Sequence, residues 1–86
     1  MYYVYILESL INKSFYIGST SDLKRRLFEH NQGKSKYTSR LKPFKLILYE
    51  AYILKSDAQR REKYLKSTRG RTTLKTMLKD YLLIST

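Results

Sequence analysis

The chain of 86 residues has no cysteine, which excludes disulfides and thiolate metal sites and leaves the redox compartment undecided. Long apolar runs are also missing. None approaches the roughly 18–20 residues of a membrane span, and no basic region followed by a long apolar stretch opens the chain. The expectation is a soluble, cytoplasmic protein without a membrane partner. Acidic residues are scarce, 7 against 18 Lys and Arg, for a formal charge of +11. A polyanion would relieve that self-repulsion; nucleic acid is the first candidate and anionic membrane the second. No internal repeat or low-complexity stretch is visible. Hydrophobic residues make up 42% of the chain, enough for one small core and too many for disorder.

What is present reads as β-β-α-β-α-α. Residues 2–8 and 13–19 are aromatic and β-branched strands joined by a short loop. The symmetric register sets Glu8 opposite Lys13, Ile6 opposite Phe15, Tyr5 opposite Tyr16, Val4 opposite Ile17 and Tyr3 opposite Gly18. One face then carries Val4, Ile6, Phe15 and Ile17 for a core. The other gathers Tyr3, Tyr5 and Tyr16 beside Gly18, which leaves space. Thr20 or Ser21 is the expected cap of a helix with Asp22 in its first turn, Leu23 and Leu27 on one stripe, and Gly33 after its end near Asn31. Residues 34–43 form a basic loop. Residues 44–53 are apolar on both faces, which fits a third strand placed centrally; a buried helix has the same pattern. Ser56-Asp57-Ala58-Gln59 is a capping-box pattern opening a second helix that runs to about Ser67. After a break at 68–72, Leu74, Met77, Leu78, Tyr81 and Leu82 recur at helical spacing, for a C-terminal helix at about 72–83. The fold class expected is α/β of the α+β type: a small two-layer sandwich with a three-stranded, mainly antiparallel sheet covered by helices. It forms a single domain over 1–86 with its core at about 1–67.

Several residues break the local pattern. Glu62 falls on the stripe Ala58, Arg61, Glu62, Leu65, where a core residue is expected. A carboxylate there needs a partner, either an ion pair with Arg61 or Lys66 or a bound metal. Arg26 and His30 share a face at i, i+4. Arg26 can present its fork to a phosphate or be a solvated charge beside Lys24 and Arg25. His30, the only histidine, can accept a proton near neutral pH or simply end a helix. The nine tyrosines offer packing area or base-stacking platforms, and Tyr2, Tyr49, Tyr52 and Tyr64 read as packing.

Tyr-Val-Tyr at 3–5, Tyr-Ile-Gly at 16–18 and Asp-Leu-x-x-Arg at 22–26 together resemble the GIY-YIG nuclease family. The spacing of eleven between Tyr5 and Tyr16 fits it, as do Arg26 eight residues after Gly18, His30 four later, and Glu62 on a downstream helix. The likeness covers roughly 1–67. His30-Asn31-x-Gly33, Lys36-Tyr37-Thr38 and Lys42-Pro43 look like the small stand-alone bacterial branch. That branch is similar to the N-terminal domain of the excision-repair incision endonuclease and to the nuclease domain of a eukaryotic structure-selective endonuclease. Tyr3 and Val4 depart from the family's glycine and isoleucine, and Ser19 stands where some relatives carry lysine.

The resemblance implies a metal-dependent endonuclease acting on DNA, with RNA also open, as a monomer or weak homodimer, nucleoid-associated in a bacterium, in repair or recombination. Glu62 would hold one Mg²⁺ or Mn²⁺, leaving positions for water and phosphate. Arg26 would clamp the scissile phosphate. Tyr5 and Tyr16 would orient the attacking water, and one of them or His30 would take its proton. Lys24, Arg25, Lys34, Lys36, Tyr37, Arg40, Lys42 and Lys45 would hold the nucleic acid. Nothing resembles a base-reading helix, so recognition by shape is expected. Two other readings stand: a nucleic-acid-binding module of the same fold with weak or no catalysis, and an interaction protein docking through its last helix.

Overall fold

The first strand, β1 (Tyr2–Ser9), is the middle of the sheet in the computed structural model, which describes residues 1–34, 36 and 38–84. It is flanked by β2 (Phe15–Thr20) and β3 (Phe44–Tyr52) in the order β2-β1-β3, with both pairings antiparallel. Helix α1 (Leu23–Asn31) connects β2 to β3, and α2 (Lys55–Lys66), α3 (Thr68–Met77) and α4 (Lys79–Ile84) follow. The three-stranded antiparallel sheet and its helices make this an α+β fold. Among the described residues, no helix is long and apolar enough to cross a membrane.

The helices divide between the two faces of the sheet, so the sheet is a middle layer rather than one half of a two-layer sandwich. On one face Val4, Ile6 and Ile17 pack with Ala58, Leu65, Leu74 and Leu78 of the α2–α3 side. On the other, Tyr5, Leu7 and Phe44 pack with Leu23 and Leu27 of α1 and with Leu41. This explains the two-sided apolar pattern of residues 44–52, and it corrects their expected position. β3 is an edge strand, and it is apolar on both faces because each face has its own helical cover. β1, buried from Val4 to Ser9, holds the centre.

The hairpin register also differs, by two residues. Tyr5 pairs with Gly18, Ile6 with Ile17, Leu7 with Tyr16 and Glu8 with Phe15. The reason lies in the turn. Ser9 N donates to Ser14 O at 2.9 Å and Lys13 N to Ser9 O at 2.9 Å, which closes the turn over residues 10–13. Ser9 Oγ accepts from the N–H groups of Ile11 (3.1 Å) and Asn12 (3.3 Å), and Lys13 takes a left-handed φ of 65°. A slip of two keeps every side chain on its face, so the face assignments hold.

Helix ends follow local chemistry with three shifts. Asp22, not Thr20 or Ser21, caps α1, its carboxylate accepting from Arg25 N at 3.1 Å. Gly33 closes that helix as expected, at φ 77°. α2 starts at Lys55 after Leu54, without a side-chain cap, so Ser56 lies inside the helix and the capping box is not used. The break expected at 68–72 is the start of α3, where Ser67 Oγ accepts from Gly70 N at 3.1 Å. The chain interrupts its helix later, at Leu78, so the expected 72–83 helix is two shorter ones.

Candidate active site

The site is assembled around the phenol oxygen of Tyr5. Tyr5 stands directly opposite Gly18, and a Cβ there would come within 2.6 Å of Tyr5 Cζ. Glycine at 18 is what lets the Tyr5 ring lie across β2. From α1, Arg26 Nε donates to Tyr5 Oη at 3.3 Å, and His30 Nε2 lies 3.1 Å from the same oxygen. The other ring nitrogen of His30 is 2.8 Å from Thr38 Oγ1. Tyr16 packs against His30 with ring centroids 4.7 Å apart and against Tyr5 at 6.3 Å. One turn of helix separates Arg26 from His30, so α1 delivers both to one point over β1.

The proton arrangement follows from the donor inventory. A guanidinium only donates, so the phenol oxygen accepts from Arg26. Burial, helped by the Arg26 charge, pushes the His30 pKa below its ordinary value and keeps the ring neutral. A neutral His30 takes the phenol hydrogen at Nε2 and carries its own on Nδ1, toward Thr38. Burial also raises the Tyr5 pKa, against the opposing pull of Arg26, so Tyr5 stays a phenol. Tyr5, His30 and Thr38 are buried, whereas Arg26 and Tyr16 keep partial access to solvent.

Glu62 reaches this region from the other side of the sheet. Its carboxylate accepts from Ser19 Oγ at 2.5 Å and from Lys66 Nζ at 2.7 Å. Ser19 pairs with Val4 and shares its face, the one covered by α2. The Glu62 carboxylate therefore stands across edge strand β2 from the Tyr5–Arg26 cluster; it is held by Ser19, the neighbour of the Gly18 that faces Tyr5. Its charge still reaches Tyr5, whose phenol it makes harder to ionise. Of the two ion-pair partners expected, Lys66 is the one used; Arg61 instead grips Glu50 through two hydrogen bonds of 3.0 and 3.2 Å. Burial opposes ionisation of Glu62, but Lys66 and Ser19 outweigh it and hold the carboxyl below the usual carboxylate range.

These residues fit one divalent ion held by a single carboxylate. Glu62 is anionic and its side chain is 22% exposed. Among the described residues, no group of three His, Cys, Asp or Glu could hold a metal, so a closed protein cage is not built. The Lys66 ammonium that now occupies Oε2 is on a half-exposed side chain, and such pairs are easily exchanged.

The basic residues divide. Lys24 and Arg25 are exposed on α1, and Lys34, Lys36, Arg40 and Lys42 are exposed on the connection from α1 to β3. Lys45 is elsewhere: it pairs with Glu8 in the sheet and its Nζ sits 5.2 Å from the Tyr81 ring centroid, on the α4 side. Tyr37, expected on the nucleic-acid face, lies outside the described residues. Sequence reasoning missed the residues that support the site. Ser19 and Thr38 are two. Asn31 is a third: its side chain accepts from Phe44 N at 2.7 Å and donates to Phe44 O at 3.2 Å, tying α1 to β3. Their partners are far along the chain, so no periodic signal marks them.

Residues 1–75 match the GIY-YIG catalytic domain. A UPF0213 protein of Streptococcus pyogenes serotype M3 is 41% identical over 71 residues, 81% of this chain and 76% of that protein. A UPF0213 protein of Streptococcus pneumoniae serotype 4 is 45% identical over 65 residues, 74% of this chain and 65% of its own length. The solution NMR structure of a UPF0213 protein from Bacillus halodurans aligns with a TM-score of 0.56 and 40% identity, covering 90% of this chain and 85% of that one. The chain belongs to the GIY-YIG family, a nuclease-type family, and its relatives are the small UPF0213 proteins.

Proposed function

We propose that this protein is an endonuclease that hydrolyses phosphodiester bonds in DNA with one Mg²⁺ or Mn²⁺ ion at Glu62, selecting structure rather than sequence. The observation that carries this is the pair of contacts at Tyr5 Oη, where Arg26 Nε and His30 Nε2 meet one buried phenol. A surface arginine that only solvates itself has no need of such an anchor. Fixed at Nε by Tyr5 and at Nη1 by Glu29, the guanidinium keeps Nη2 for a phosphate oxygen.

In this reading, water attacks phosphorus and the bond to the leaving oxygen breaks. Arg26 neutralises charge on the phosphoryl oxygens as it grows. Tyr16, the phenol with solvent access, first gives its own proton to solvent; as the phenolate it hydrogen-bonds the attacking water and takes its proton, which restores the phenol. The departing oxygen takes a proton from solvent. Buried His30 acts through Tyr5, holding the phenol that holds Arg26. A divalent ion at Glu62 supplies further positive charge and makes water more acidic. The exposed cations of α1 and of the following connection favour backbone contacts along a shape rather than base reading, which suits branched or flapped intermediates of repair or recombination.

One observation favours a second reading: both Glu62 oxygens already have partners, as they would in a binding module without catalysis. Incubation with flapped, branched, single-stranded and duplex oligonucleotides, with and without divalent metal, separates the two. The nuclease reading expects metal-dependent cutting near junctions. Salt-sensitive binding with no cutting in any metal would leave the binding module.

A further inference from the structure

Tyr3 stands where the family's glycine is expected, and the active-site reading gives it no role. Its side chain is on the α1 face of the sheet, two residues from Tyr5. There it meets Tyr49 of β3 edge-on, ring centroids 5.9 Å apart at 66°. Tyr49, which reads in the sequence as a packing residue, is 54% exposed. The two rings form one side of an open groove of about 460 Å³, with Leu23, Leu27 and Leu46 as its apolar lining and Lys24 at its rim. Tyr49 lies directly opposite Tyr5 in the β1–β3 register, so the groove begins one strand's width, about 4.8 Å, from the residue that anchors Arg26.

We propose that this groove is a subsite for an unpaired nucleobase of the DNA substrate, stacked on Tyr49 and Tyr3, with its phosphate near Lys24. The inference rests on the nucleic-acid reading above and adds to it which part of the substrate is recognised. Three observations converge. An exposed aromatic ring is a stacking surface that accepts any base. The apolar lining suits a flat ring and gives a double helix, with its bases already stacked, nothing to bury. The exposed Lys24 and the charge of +11 match a phosphate strand and disfavour a cationic or neutral apolar partner. Asp22 also borders the groove, but its carboxylate is engaged by Arg25 N as the helix cap. The site requires the target to be unpaired beside the bond that is cut, which is a physical basis for selecting flaps and junctions.

The test uses the full chain in EDTA, so that no cutting intervenes. The probe is a duplex with a short single-stranded flap, carrying 2-aminopurine at successive unpaired positions. Quenching at one position is expected on binding. Tyr49→Leu, which keeps apolar volume, should abolish the quench and weaken flap binding roughly 5- to 150-fold, and Tyr49→Phe should retain both. An abasic flap, with its charge intact, should bind as weakly as the leucine variant binds the normal flap. Equal binding of abasic and normal flaps, or unchanged quenching in Tyr49→Leu, would overturn the subsite while leaving nucleic-acid binding in place. No binding of any oligonucleotide would remove the nucleic-acid reading itself and the subsite with it.

Discussion

At the scale of single residues, the site turns on one oxygen, Tyr5 Oη. Tyr5→Phe removes the hub and leaves Arg26 Nε and the buried His30 Nε2 without their partner. An orphaned buried group costs about 1–3 kcal/mol, so the variant should unfold at lower urea concentration. Its kcat for nicking should fall about 10- to 1000-fold, as when one preorganised donor is lost. Unchanged kcat would mean that Arg26 needs no anchor. His30 supplies a pH test. Its folded pKa lies below the ordinary value of about 6.5, so the unfolded chain binds more protons in the window beneath it. The stability held by neutral His30 is complete above that window and is lost as pH falls through the folded pKa. Urea midpoints should drop between pH 7.5 and 5.5 in the wild type and drop less in His30→Gln. A third test concerns Lys66, which shares Glu62 with any bound cation. Lys66→Ala should lower the Mn²⁺ concentration that half-saturates activity, whereas a higher requirement would indicate that Lys66 assists the ion.

At the scale of elements, two glycines set where segments touch. Gly18 lets the Tyr5 ring cross β2, and Gly70 lets α3 leave α2 at a tight corner, where a Cβ would sit 2.6 Å from the Tyr64 carbonyl carbon. Gly70→Ala collides with backbone, which cannot yield, so a loss of at least about 1–3 kcal/mol is expected in equilibrium unfolding. Gly18→Ala collides with the Tyr5 side chain that anchors Arg26, so it should lose activity out of proportion to stability. Much of this level was legible beforehand. The hairpin, the end of α1 at Asn31 and the tyrosine-bearing face follow from alternation or helical spacing, and Lys66 was one of the partners that spacing offered Glu62. The edge position of β3 did not, because a run that is apolar on both faces looks the same whether neighbouring strands or covering helices bury it. The start of α3 at Thr68 was hidden as well: Thr-Arg-Gly-Arg-Thr looks like a break until Ser67 is seen capping it. Contacts such as Ser19 with Glu62 join residues 43 apart and leave no local trace.

At the scale of the whole molecule, charge and sheet geometry act together. The excess of cations should give DNA binding that weakens steeply with salt, the slope reporting phosphate contacts. Charge-removing changes on α1 and its following connection should reduce that slope, and Lys45→Ala, on the α4 side, should leave it nearly unchanged. The central claim is that Glu62 and Arg26, on opposite sides of edge strand β2, serve one phosphate. It is tested most directly by nicking of supercoiled plasmid with Mg²⁺ or Mn²⁺ by wild type, Glu62→Gln and Arg26→Ala, each first shown to be folded by circular dichroism. The account predicts metal-dependent nicking by the wild type and a loss of at least about 100-fold in each variant. Wild-type rates in Glu62→Gln, or nicking that persists in EDTA, would contradict it.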